Sequence, residues 1–335
     1  MNGLDVFLDS RFAPAYDRYP LVLADIGARG GLKTNWLPAR RHLRVLGFEP
    51  DTREFERLVE RHPSDRTLTF FNTALHNRRG TVPLFVARDR GLTSIFKPDR
   101  TFVDSFPEPE RFDTTAVIEI PTDTLDNVLA AGGVEDVDFI KADTQGSELY
   151  VLEGAQGALS SSVVGVEVEV EFSAIYAGQP LFSDVDTYLR KFGFVLFDLR
   201  PCYWKRAKGR RAGGPHGQII WADALYLRSV PALHAAVSVL PVERGRAKLL
   251  KAISVAVLYG YLDYGLEITG ASRGLLTPQE RDAIERHLAN SQALGTVRRF
   301  PGQRRIAAAA HRLWRLLRRP EDNAWSVSRA KLGNL

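Results

Sequence analysis

The chain has 335 residues, 44% of them apolar and 25% charged, which is ordinary for a globular protein and excludes a disordered one. Its single cysteine, Cys202, excludes an internal disulfide framework, and residues 1–19 lack the basic-then-apolar pattern of a secretion signal, so a cytoplasmic location is expected. The net charge of +5 is more than accounted for by eight arginines between Arg298 and Arg319, so no nucleic-acid partner follows from charge alone.

From residue 20 to about 230, short apolar runs alternate with helical patterns. LVLADIG (21–27) reads as a buried strand closed by a glycine turn, and LRVLGFEP (43–50) as a second, stopped by Pro50. TREFERLVERHP is an amphipathic helix with Phe55, Leu58 and Val59 on one face. TLTFFNTAL reads as one strand, and GTVPLFVA and FDTTAVIEIP as two more around a loop containing GLTSIF. DTLDNVLAAGG is a helix capped by Asp123 and ended by Gly132 and Gly133. VDFIKAD is a strand, GSELYVLEGAQGAL a helix and VVGVEVEVEF a strand. SDVDTYLRKFG is a helix between Ser183 and Gly193. FVLFDLR and QIIWADALYLR are strands joined by a basic, glycine-rich loop, a link short enough only for antiparallel pairing.

This alternation predicts an α/β fold: a mostly parallel sheet between helices, ending in one antiparallel strand. Three domain-level segments are expected: 1–19, a catalytic domain over 20–230, and a helical extension over 231–335. Within the extension, RRIAAAAHRLWRLLRRP forms a basic amphipathic helix that can pack in a dimer or lie on an anionic membrane surface.

Three strand ends carry the chemistry. D-x-G-x-x-G-G follows the first strand, where glycines admit close backbone approach and Asp25 suits a ligand with a positive end. Glu49 ends the next strand, 24 residues after Asp25, where a carboxylate can hold ribose hydroxyls. Asn72, Thr73 and Ala74 close the third, beside a position for a nucleobase. Asp143 ends a further parallel strand at the rim where open α/β sheets bind ligands, with Gly146 and Glu148 opening the following helix.

This constellation, in DIGARGG, GFEPD, FFNTAL, TDTLDNVL, IKADTQGSELYVLEGA and EVEVEF, resembles the FkbM family of S-adenosylmethionine-dependent methyltransferases over about residues 20–230. Arg29 departs from the asparagine common there. The resemblance implies a class I methyltransferase (Rossmann-like) fold and methyl transfer to a hydroxyl of a sugar, glycan or natural product. It maps S-adenosyl-L-methionine, with S-adenosyl-L-homocysteine as product, onto Asp25, Gly27, Ala28, Gly31, Glu49, Pro50, Asn72, Thr73 and Ala74, with Asp143 near the methyl group.

Removal of the acceptor's proton needs a base. Glu167, Glu169 and Glu171 alternate in VEVEVEF and share one sheet face; Glu171, nearest the strand's end, is expected to face the acceptor. His76 and His216 are the other candidate bases. Ser94, Lys141 and Tyr176 are candidate substrate-site residues, Lys141 with a structural ion pair as its alternative. No clustered ligand motif argues for a metal. Two other readings remain open: an NAD-type dinucleotide oxidoreductase, opposed by Asp25 and the missing G-x-G-x-x-G, and a non-catalytic cofactor-binding scaffold.

Overall fold

The computed structural model describes residues 9–209, 217–272 and 274–295, with a few positions between 302 and 313. The main sheet has seven strands: β1 (Leu21–Ile26), β2 (Leu43–Phe48), β3 (Leu68–Phe71), β7 (Phe139–Ala142), β8 (Gly165–Glu171), β9 (Phe194–Trp204) and β10 (Gln218–Arg228). Their order is β3-β2-β1-β7-β8-β10-β9. All neighbours pair in parallel except those of β10, which runs against both β8 and β9. The antiparallel strand is therefore one place in from the edge; β9, carrying Pro201 opposite Ala222, is the outer strand. This mostly parallel sheet, with helices on both faces, is the class I methyltransferase arrangement that the sequence led one to expect.

TLTFFNTAL divides. Only Leu68–Phe71 joins the main sheet, while β4 (Ala74–Leu75) leaves it for a second sheet with β5 (Gly80–Ala87) and β6 (Thr114–Asp123), in the order β4-β6-β5. Side chains alternate across the main sheet, so each strand serves two cores. Val22, Ala24 and Ile26 face a core shared with Ile140 of β7, Val166 of β8 and the helices α4 (Leu125–Ala131), α5 (Glu148–Glu153), α6 (Gln156–Ser161) and α7 (Phe182–Arg190). Thr124 rather than Asp123 caps α4, its hydroxyl accepting the Asn127 N–H. The single helix expected over 146–159 is two, α5 ending at its C-cap Gly154, where a side chain would reach within 2.1 Å of the His76 carbonyl oxygen.

Leu21 and Leu23 face the other core, with Phe139 of β7, Leu225 and Leu227 of β10, Trp36, and α1 (Ala13–Arg18). That core is closed by α8 (Val230–Ser238), α9 (Val242–Leu258), α10 (Leu262–Ala271) and α11 (Pro278–Gly295). The break between α9 and α10 falls at Gly260, whose φ of +89° ends a helix without Cβ strain. Residues past 230 thus cover one face of the sheet. Asp138, at the foot of β7, is fully buried and accepts from Val22 N at 2.8 Å, from Lys251 Nζ at 2.9 Å and from Lys248 Nζ. Most of the basic helix expected near the C-terminus lies outside the described residues. No helix among the described residues is long and apolar enough to cross a membrane.

Candidate active site

A cavity of about 350 Å³ opens at the carboxyl ends of β1, β2, β7 and β8, within the roughly 300–1,000 Å³ range of small-ligand sites. Its floor is the glycine turn after β1. Gly27 and Ala28 both donate backbone N–H bonds to Phe48 O at 3.0 Å, tying this turn to the end of β2. A Cβ on Gly27 would stand 2.0 Å from Asp143 O, so the turns after β1 and β7 touch backbone to backbone. Gly31, at φ +81°, completes the turn and lines the cavity.

Glu49 and Pro50 form the β2 side. The buried Glu49 carboxylate accepts the Asp51 N–H at 2.9 Å; burial nevertheless raises its pKa. Asn72 holds this corner from behind, donating its amide to Glu49 O at 3.0 Å, and lines an adjoining groove rather than the cavity itself. Thr73, Ala74 and His76 line the cavity beside Val82, Leu84 and Ile120 of the small sheet. The His76 ring lies 4.9 Å from the Tyr150 ring, and burial lowers its pKa. The α2 helix (Thr52–Arg61) buries Leu58 as expected but turns Glu54 inward rather than Val59, which is 43% exposed; Glu54 accepts the Gly30 N–H at 3.3 Å.

The opposite end is charged. Lys141 Nζ donates to Gly27 O at 2.9 Å and stands 3.2 Å from Asp25 Oδ1 and 3.8 Å from Asp143 Oδ2. Burial opposes its charge, but Asp25 and Asp143 outweigh burial and raise its pKa. Asp25 does not line the cavity; it is buried and pairs with Lys141, which does. After β7 the chain turns through Gln145, at φ +60°, a conformation that costs a non-glycine residue about 1 kcal/mol or more. Glu148 holds the turn, accepting from Thr144 N at 2.6 Å and Gly146 N at 2.9 Å while burial pushes its carboxyl up to about 7.

That turn aims Gln145 Nε2 at two carboxylates, Glu169 Oε1 at 2.8 Å and Asp143 Oδ1 at 3.2 Å. Asp143, Gln145 and Glu169 all line the cavity. Glu171, expected to face the acceptor, does not: it lies buried beside Gln179 and Glu148, one alternation farther along β8. Ser94 and Tyr176 are likewise buried behind the wall. The Ser94 hydroxyl donates to Gln145 O at 2.6 Å, and the Tyr176 hydroxyl stands 3.0 Å from Leu92 O and 3.2 Å from Gln145 Oε1. Both therefore brace Gln145 instead of reaching the cavity. His216 lies outside the described residues. Glu169, Gln145 and Glu54 are not singled out by the sequence; only the shared face of the three β8 glutamates points toward Glu169.

The methyltransferase FkbM domain model matches residues 25–196, and the chain belongs to that family. It is a methyltransferase, with S-adenosylmethionine as its cofactor. It is 28% identical over 174 residues to the 2-O-methyltransferase NoeI of Sinorhizobium fredii, covering 49% of this chain and 70% of that protein. A methyltransferase FkbM structure from Methylobacillus flagellatus is 16% identical with a TM-score of 0.34; the match covers 62% of this chain and 43% of that one. The magnesium protoporphyrin IX methyltransferase of Synechocystis PCC 6803, solved with S-adenosylmethionine bound, is 11% identical at a TM-score of 0.33, over 68% of this chain and 80% of that one.

The contact at Gly27 makes a direct test. Gly27→Ala would force the two touching backbone turns apart and hold alanine at φ +73°, so it is expected to lower stability by about 2 kcal/mol or more. Urea denaturation measures this, and an unchanged midpoint would show that the turns can separate freely.

Proposed function

We propose that the protein transfers the methyl group of S-adenosylmethionine to a hydroxyl oxygen of a sugar, glycan or natural-product acceptor. The observation that carries the reading is the polarity of the cavity. Carboxylates of Asp143 and Glu169 stand with Lys141 at the β7–β8 side, and at the β2 side the Glu49 carboxylate adjoins the apolar side chains of Phe48, Leu75 and Ile120. A ligand with a cationic amino-acid end and a flat nucleobase end matches that gradient. Glu49 would hold the ribose hydroxyls, the glycine turn would take the amino-acid portion by backbone contact, and Thr73 and Ala74 would border the base.

When bound, S-adenosylmethionine supplies a methyl carbon on a cationic sulfur that leaves as a neutral thioether. The chain itself has to align the acceptor oxygen, exclude water and accept a proton. The kinship to a protein named as a 2-O-methyltransferase supports oxygen as the methylated atom.

Calorimetric titration with S-adenosylhomocysteine tests the cofactor site. Glu49→Ala is expected to weaken binding by about 10- to 100-fold, the loss of hydrogen bonds to a charged group. Equal affinity in the variant would remove Glu49 from the site. Transfer of labelled methyl to a panel of sugars and glycans then tests the acceptor class.

A further inference from the structure

The strand register arranges charge in two transverse rows on one face of the sheet. In the lower row Asp25 pairs with Lys141 and Lys141 with Glu167, so opposite charges alternate across three parallel strands. Glu167 gains further cations, Lys33 Nζ at 2.9 Å and Arg200 Nη2 at 3.1 Å, with the Tyr259 hydroxyl donating at 2.7 Å. The upper row has no such alternation. Glu169 stands directly opposite Asp223 of β10 and shares Gln145 Nε2 with Asp143, and two more carboxylates, Glu148 and Glu171, face it from α5 and from its own strand. The cations nearby are already committed: Lys141 to Asp25 and Asp143, Lys33 to Glu167, and Arg200, at the far end of the row, to both Glu167 and Asp223. Tyr176 is buried behind Gln145 and brings no positive charge.

Like charges placed directly opposite on neighbouring strands repel, and a carboxylate partly withdrawn from water, as half-buried Glu169 is, favours its protonated form when no cation pairs with it. Glu169 is the member of this row whose carboxylate both lines the cavity and lacks an ion-pair partner among the described residues. We propose that Glu169 is protonated in the ligand-free site, ionises when the sulfonium of a methyl donor occupies the cavity, and as the carboxylate takes the proton of the acceptor hydroxyl. This rests on the cofactor assignment above. The bonds and charges balance: the acceptor oxygen gains the methyl carbon, the carbon–sulfur electron pair stays on sulfur, and the hydroxyl proton ends on Glu169. The proton displaced on donor binding passes to solvent.

S-adenosylmethionine and S-adenosylhomocysteine share every charge except the sulfonium, so their difference isolates this coupling. The full-length protein is titrated with each, near neutral pH, in buffers of low and high ionisation heat. The expected result is that S-adenosylmethionine releases up to about one more proton per site than S-adenosylhomocysteine. Glu169→Gln should abolish that difference. Asp223→Asn, which removes the opposing charge but keeps Glu169, should shrink it. Equal proton release by the two ligands in the wild-type protein, which needs no variant to fold, would overturn the proposal, as would an undiminished difference in Glu169→Gln. Failure of the folded wild-type protein to bind either ligand would instead overturn the cofactor assignment, and this inference with it.

Discussion

A chain ending at residue 230 is expected not to fold. The helices α8 to α11 supply Leu233, Leu249, Leu250, Ile253, Val255, Val257, Ile268, Ile284 and Leu288 to the core that covers one face of the sheet. Fully burying a large aliphatic side chain is worth roughly 1.5–3 kcal/mol, whereas a whole domain keeps only about 5–15 kcal/mol of net stability. Removing these helices would also bare Leu21, Leu23 and Phe139 of the central strands and leave Trp36 without its edge contact to Tyr259, now at 6.0 Å between ring centres. Circular dichroism and size-exclusion chromatography of a 1–230 fragment measure the outcome. A soluble fragment that unfolds cooperatively would mean that 20–230 is self-sufficient and the remainder a true extension.

The second large effect is expected at Asp138. Its carboxylate is fully buried and is the counter-charge for two buried lysines, Lys248 and Lys251, both on α9. Asp138→Asn would leave two ammonium groups facing a neutral amide, and breaking a buried ion pair from one side costs about 3–5 kcal/mol. The pH dependence follows. Burial raises the Asp138 pKa, but the two lysines outweigh it, so the folded value falls below the ordinary 3.8. The contribution is therefore complete above pH 3.8 and lost as the pH falls through the lower folded value. Denaturant titrations of wild type and variant should differ most near neutrality and converge in acid. A gap that stays constant down to the acid transition would assign the loss to packing rather than charge.

The features of the site legible in the sequence are those fixed by local chain geometry. Asp25, Glu49 and Asp143 stand at strand ends, and Gly27 and Gly31 at positive φ. Such positions are written in a few consecutive residues. What is not legible depends on pairing. Nothing in VEVEVEF tells Glu169 from Glu171; the distinction arises when β10 sets Asp223 opposite Glu169 and the turn after β7 brings Gln145 to it. The split of FFNTAL between two sheets, which turns Val82 and Leu84 into cavity wall, likewise depends on residues more than forty positions downstream, in β6. The helical pattern after 230 is plain, but no periodicity says which surface a helix will cover.

The outer strand β9 bears on how the protein behaves in company. It is eleven residues long, and a bare strand of that length offers a template on which further chains can add, copy upon copy. Pro201 has no N–H to offer such a newcomer, and Asp198 and Arg200 set charge beside it. The longer of the main sheet's two borders is thus a poor seed for fibrous aggregation.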